Sequence, residues 1–296
     1  MGESVMPMFK SNAESLVRAR VAGRIAPPRV HAEAMNLDAD GRVRPLPGTG
    51  GIALGVHAGD LAAQWVADHL MPGASIEDAA ATPAQPGALH LLSCIGNRVR
   101  DAAGRTIGVV AGKRGGLAPG FWAPQLVGVE VSDAVAVTLN CEDRIVVETM
   151  GRGLTLTDHP SVILSNVSPR LLDALPLRNI GGTLTCEVCA IIPPEVAGSG
   201  LGQDSWVGDL EITDVAMSAA LRFGDLVAFT DIDSSVTRYY QPGFVSIGIV
   251  SHGPGHAPGH GVGVTILASG RTEDLSPKIG NGALASKLIA WSTAES

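Results

Sequence analysis

Apolar and polar positions divide this chain into short runs rather than long amphipathic stretches. GDLEI at 208–212, DLVAFTDI at 225–232, FVSIGIV at 244–250 and GVGVTILA at 261–268 are the clearest runs of strand length, set off by glycine, aspartate or proline. QLVGVEV at 125–131, AVAVTL at 134–139, RIVVETM at 144–150 and TLTCEVCAIIP at 183–193 read the same way. ALHLLSCIGN at 88–97 reads as a buried strand leading into a turn, and RTIGVVAGKRGG at 105–116 as a strand followed by a glycine-rich loop. Two helices are expected before the C-terminal tail. One covers 61–70, capped by Asp60, with Leu61, Trp65 and His69 at four-residue spacing, and Met71-Pro72-Gly73 ends it. The other is RLLDAL at 170–175, which Ser168-Pro169 starts and Pro176 stops. NLDADGR at 36–42 reads as a turn, and the tail from 271 as a short helix with a frayed end.

The pattern predicts an α+β fold: a compact β-rich domain with several short helices, open to a β-barrel-like closure. Composition agrees, since 37 glycines and 19 prolines in 296 residues suit many turns and short strands. The expected organisation is an N-terminal extension over 1–29, a β-rich core over 30–270 with sub-boundaries near 85 and 200, and a tail over 271–296. Only 17% of residues are charged, compatible with surface buried in a homo-oligomer. The net charge of -8 disfavours a phosphate-backbone surface, so nucleic acid is not an expected partner. No run approaches the roughly 20 apolar residues of a spanning helix, and the N-terminus lacks a signal-peptide core, so no membrane partner is expected. Four cysteines in so long a chain suggest a reducing, cytoplasmic compartment rather than a disulfide scaffold.

The sharpest chemical feature is SHGPGHAPGHGVGVT at 251–265. Its glycines and prolines oppose a helix, so His252, His256 and His260 belong to a bent loop between two strands. Imidazoles there can hold a divalent metal such as zinc, bind an anion or move a proton near neutral pH. His260, at the strand junction, is the preferred base or ligand, with His256 and Asp231 as further candidates. Asp231 and Asp233 share a side if TDIDSSVTRYY is extended, and Arg238 suits a developing oxyanion. Tyr239 and Tyr240 fit either beside an organic ligand or at a subunit edge. Cys94 with Asn97 forms a nucleophile candidate at a strand end, against the plainer reading of an inert buried thiol. Cys186 and Cys189 form a CxxC pair whose strand-like flanks favour packing over redox or zinc chemistry. His57, Asp60, Asp68 and His69 make a further polar group, which helix-surface chemistry explains equally well. The Gly-Asp pairs at 208–209 and 224–225 read as turn-to-strand junctions, with a carboxylate site as the alternative. GKRGG at 112–116 lacks the spacing of a nucleotide phosphate loop, and no dinucleotide fingerprint, nucleophile elbow or HExxH motif is present.

Together, LSCIGN at 92–97, VVAGKRGG at 109–116, LRFGDLVAF at 221–229 and FVSIGIVSHGPGHAPGHGVGVT at 244–265 resemble the bacterial and archaeal family DUF4438, as does GVHAGDLAAQWVADHLMPGASI at 55–76. The resemblance implies a compact β-rich α+β protein and makes a homo-oligomer plausible; it carries over no catalytic residue. The Gly-Asp strand pattern is distantly similar to acetamidase- and formamidase-like β structures, a fold-level analogy. The expectation is a small-molecule hydrolase acting on an amide or cyclic amide, with a metal or a histidine activating water. The alternatives are a non-catalytic protein that binds a metabolite or anion, and a structural homo-oligomer.

Overall fold

The computed structural model describes residues 9–28, 46–48, 50–78, 87–118, 121–122, 125–255 and 259–294. The turn expected over 36–42 and His256 lie outside these residues. Six antiparallel strands close into a barrel: Ala19–Ile25, Arg144–Thr149, Arg98–Asp101, Thr106–Arg114, Leu126–Glu130 and Gly73–Glu77, which pairs back onto the first. Closure removes the open edges that a flat sheet would leave. The inward positions are aliphatic, with Ile25, Ile76, Val99, Val127, Val129, Ile145 and Val147 all buried.

A second sheet carries the C-terminal half in the order Ile163–Leu164, Val262–Arg271, Tyr239–His252, Leu226–Asp233 and Ala190–Ile192. Leu210–Ile212 adds to the free side of Val262–Arg271, with Glu211 opposite Gly263. Both faces of this sheet are covered. Leu226 and Ala228 join the core shared with the barrel, while Val227 and Phe229 join a separate cluster with Leu210, Ile212 and Val264. Two-sided burial explains why these strands read as near-continuous apolar runs. A small sheet of Leu177–Ile180, Thr183–Val188 and Leu275–Ile279 and a helix over Ala285–Thr293 complete the fold. No helix among the described residues is long and apolar enough to cross a membrane.

Three local expectations are corrected. Residues 61–70 form turns and bends, not a helix. Their amides are taken by distant carbonyls: Ala62 N–H donates to Leu221, Asp68 N–H to Pro47 and His69 N–H to Pro254. Asp60 does not cap a helix; its carboxylate accepts the His57 N–H at 2.8 Å. Residues 88–92 are a short helix rather than a strand, which turns His90 inward so that its Nε2 accepts the Gly208 N–H at 3.0 Å. In 134–139, the Ser132 carbonyl takes the amides of Val135 and Ala136, giving a helical turn over Asp133–Ala136 with Val137 exposed. Tertiary pairing overrides the local pattern at 61–70, while short-range helical bonds settle the other two segments. The helix after Ser168 is present at Pro169–Leu172, with the Ser168 hydroxyl accepting the Leu171 N–H.

Candidate metal centre

Strand alternation builds the floor of the site. Leu210 and Ile212 enter the apolar cluster, so Asp209 and Glu211 project from the opposite face. Gly208 does mark a turn, at φ +64°, but Asp209 beyond it also belongs to a carboxylate site, so both readings of that Gly-Asp pair apply. His252 ends the strand Tyr239–His252, and His260 precedes the next strand. His69 comes from the irregular 61–72 segment, held at φ 52° by its contact with the Pro254 carbonyl.

Three donor atoms converge. His260 Nδ1 lies 3.1 Å from Glu211 Oε1, His69 Nε2 lies 3.1 Å from His260 Nδ1, and His69 Nε2 lies 3.5 Å from Glu211 Oε1. Ligands about 2.1 Å from one ion sit about 3.0 Å apart at octahedral angles and about 3.4 Å apart at tetrahedral ones. The triad therefore has the spacing of three ligands of a single cation. Surrounding groups orient it. Asp68 Oδ1 lies 3.0 Å from His69 Nδ1, which leaves Nε2 to face the other donors. The Gly261 N–H donates to Glu211 Oε2 at 2.6 Å and leaves Oε1 for the cluster.

A second pair adjoins the first. His252 Nε2 lies 2.9 Å from Asp209 Oδ2, while its Nδ1 lies 2.7 Å from the Gly253 carbonyl. Two acceptors on one ring favour the imidazolium. Burial opposes that charge, but Asp209 and Glu211 together outweigh it and His252 is raised above the ordinary histidine value. Burial likewise opposes ionisation of Glu211, yet hydrogen bonds with His260 and His69 hold its carboxyl well below the usual range. The Glu211 hydrogen bond raises His260 against burial. Arg114, at the end of a barrel strand, brings a buried cation whose charge acts on Asp209 and Glu211.

Two glycines of the 251–265 segment, Gly255 and Gly263, are steric requirements of this cluster. A Cβ on Gly255 would stand 2.2 Å from His69 Cε1, and one on Gly263 would stand 1.8 Å from His252 Nε2. The rings pack directly on bare backbone.

The sequence candidates thus separate. His252 and His260 meet in the cluster, and His256 lies outside the described residues. Asp231 does not join them: it occupies a strand irregularity at φ 54°, where its carboxylate accepts the Gly243 N–H at 2.8 Å. Arg238 is fully buried and donates to the carbonyls of Gly200, Asp204, Val207 and Asp209, which spends its guanidinium on clamping the loop that delivers Asp209. Cys94 is sealed in the core, with its thiol pushed up to about 11 by burial. Asn97 braces the same turn, accepting the Cys94 N–H and donating to the Met150 carbonyl. Cys186 and Cys189 are free thiols, and burial raises them to about 12 and about 11. His57 instead joins Glu130 and Asp133, at 3.1 Å from each. The sequence reading does not single out Glu211; the Asp-Leu-Glu alternation at 209–211 is the available signal for it.

Comparison with known proteins places this architecture. The chain is similar to a protein of solved structure, TM1086, with 33% identity and a TM-score of 0.87 over 95% of this chain and 99% of that one. No curated protein matches. Residues 35–173 match the N-terminal domain, and residues 174–289 the C-terminal domain, of a family whose domains are described as of unknown function. The chain, with its barrel and its carboxylate–histidine cluster, belongs to the DUF4438 family.

Proposed function

We propose that this protein is a metal-dependent hydrolase of a small amide or cyclic amide, with one divalent cation, zinc or a similar ion, held by His69, Glu211 and His260. The observation that carries this reading is the mutual approach of their three donor atoms within 3.5 Å. Two imidazoles and one carboxylate are a donor set suited to zinc and neighbouring divalent metals. Such an ion supplies Lewis acidity and brings the pKa of water toward neutrality. The protein's own groups do the rest. Asp68 fixes the His69 ring, and His252 and Arg114 give a positive field beside the ligands, suited to a tetrahedral oxyanion. Among the three ligands, the His260 side chain alone keeps substantial exposure, at 20%, so substrate approaches from its side of the loop. The near-complete burial of His69 and Glu211 supports a second reading, a structural ion in a non-catalytic protein.

Elemental analysis of gently purified protein tests the proposal, alongside Glu211→Gln and His260→Ala variants checked by circular dichroism. One equivalent per chain, lost in folded variants together with turnover of an amide panel, is expected. Bound metal without turnover favours the structural ion. A parent that neither retains nor takes up zinc, manganese or iron ions overturns both. Assembly as a homo-oligomer is also proposed, on the low charge content, and light scattering tests it.

A further inference from the structure

We propose that a cavity beside the strand Ala19–Ile25, which shares no described lining residue with the histidine cluster, binds a small organic anion bearing carboxylate or phosphate. The cavity has a volume of about 780 Å³, and Arg18, Arg20, Arg98 and Arg170 line it. Glu148 is the one acid among its described lining residues. Four guanidiniums against one carboxylate make a strongly positive recess in a chain whose net charge is -8.

Glu148 offsets only part of this charge. It pairs with Arg100 at 2.9 Å and Arg20 at 3.3 Å, and stands 4.0 Å from Arg98. Among the described residues neither Arg18 nor Arg170 has an ion pair. Burial and the nearby charge of Arg98 both lower Arg170, so two like charges are held close together. An anion between them removes that repulsion. Arg170 also lies 5.0 Å from the Trp291 ring centroid, which limits its freedom and pre-orients the fork.

The walls point to an organic anion rather than a bare ion. Ala19, Met150 and Pro169 provide apolar surface beside the guanidiniums, and the volume falls in the range of small-molecule sites, about 300–1,000 Å³. Asn97, a lining residue, has its amide committed to Cys94 and Met150, so it frames the cavity and the arginines do the recognition. Planar forks suit the paired oxygens of carboxylate and phosphate alike.

Isothermal titration of the full chain at low salt, with inorganic phosphate and with succinate as separate probes, tests this. Saturable one-to-one binding that weakens as sodium chloride rises is expected. Preference for one probe identifies the anionic group. Arg98→Gln and Arg170→Gln should each weaken binding by at least about tenfold. Arg18→Gln, at an exposed position that leaves packing intact, should weaken it less. Neither probe binding at millimolar concentration, or unchanged affinity in a folded Arg98→Gln/Arg170→Gln double variant, overturns the proposal. Metal content does not enter this readout, so its outcome is separate from that of the hydrolase reading.

Discussion

Lys113 offers a direct measure of how this core handles charge. It lies on the barrel strand Thr106–Arg114, fully buried, with Nζ donating to Asn166 Oδ1 at 2.8 Å and to the Trp206 carbonyl at 3.3 Å. Desolvation lowers its pKa from 10.5 to about 7. Above pH 7 the folded chain therefore releases a proton that the unfolded chain keeps until about pH 10.5. Folding is coupled to proton release across that window, so raising pH stabilises the fold. The slope reaches about 1.4 kcal/mol per pH unit, and over the 3.5 units between 10.5 and 7 the total is about 5 kcal/mol. Below pH 7 both states hold the proton and this contribution is at its most destabilising. Lys113→Met removes it. The substitution leaves Asn166 Oδ1 and the Trp206 carbonyl without that donor, at a cost of about 1–3 kcal/mol at any pH. The diagnostic is thus the slope and not the absolute stability. Urea unfolding of parent and variant between pH 7 and 9.5 should give a parent free energy that climbs relative to the variant. Parallel curves would refute the argument and mean that Lys113 stays protonated in the folded state.

Further outcomes follow from the candidate metal centre and the thiols. Asp68→Asn should weaken metal retention by about 10–100-fold, read by competition with a chelator, because the His69 ring loses its orienting carboxylate. Gly255→Ala should displace His69, since the new Cβ would overlap its ring; metal loss with intact circular dichroism is expected, and undiminished retention would show that the loop gives way instead. Alkylation of the native protein at pH 8 should label exposed Cys141 and spare Cys94 and Cys186, as peptide mass spectrometry would show; rapid labelling of Cys94 would contradict its sealed position.

Much of the fold was legible in the residue pattern. The C-terminal strands read as apolar runs because both faces of their sheet are covered, so burial itself wrote the signal. The Ser168-Pro169 helix start is local chemistry, and it appears where the sequence puts it. The loop carrying His252 and His260 was visible because glycine and proline exclude helix whatever surrounds them. Other elements were decided elsewhere. The four-residue spacing of 61–70 is helical, but the amides of Ala62, Asp68 and His69 find partners across the chain, and no local rule anticipates those partners. His69 becomes a member of the cluster only through that irregular path. The same holds for Glu211, which lies 49 residues before His260 in sequence and 3.1 Å from it in space. Asp231 and Arg238, attractive as free charges in a linear reading, are taken up by a strand irregularity and by four carbonyls. The sequence alone marked most of the strands, the apolar runs of the C-terminal half above all, and which residue types could perform chemistry, because periodicity and side-chain reactivity are local properties. Which of those groups meet was left to the tertiary structure, since long-range strand register and backbone pairing set the distances between them.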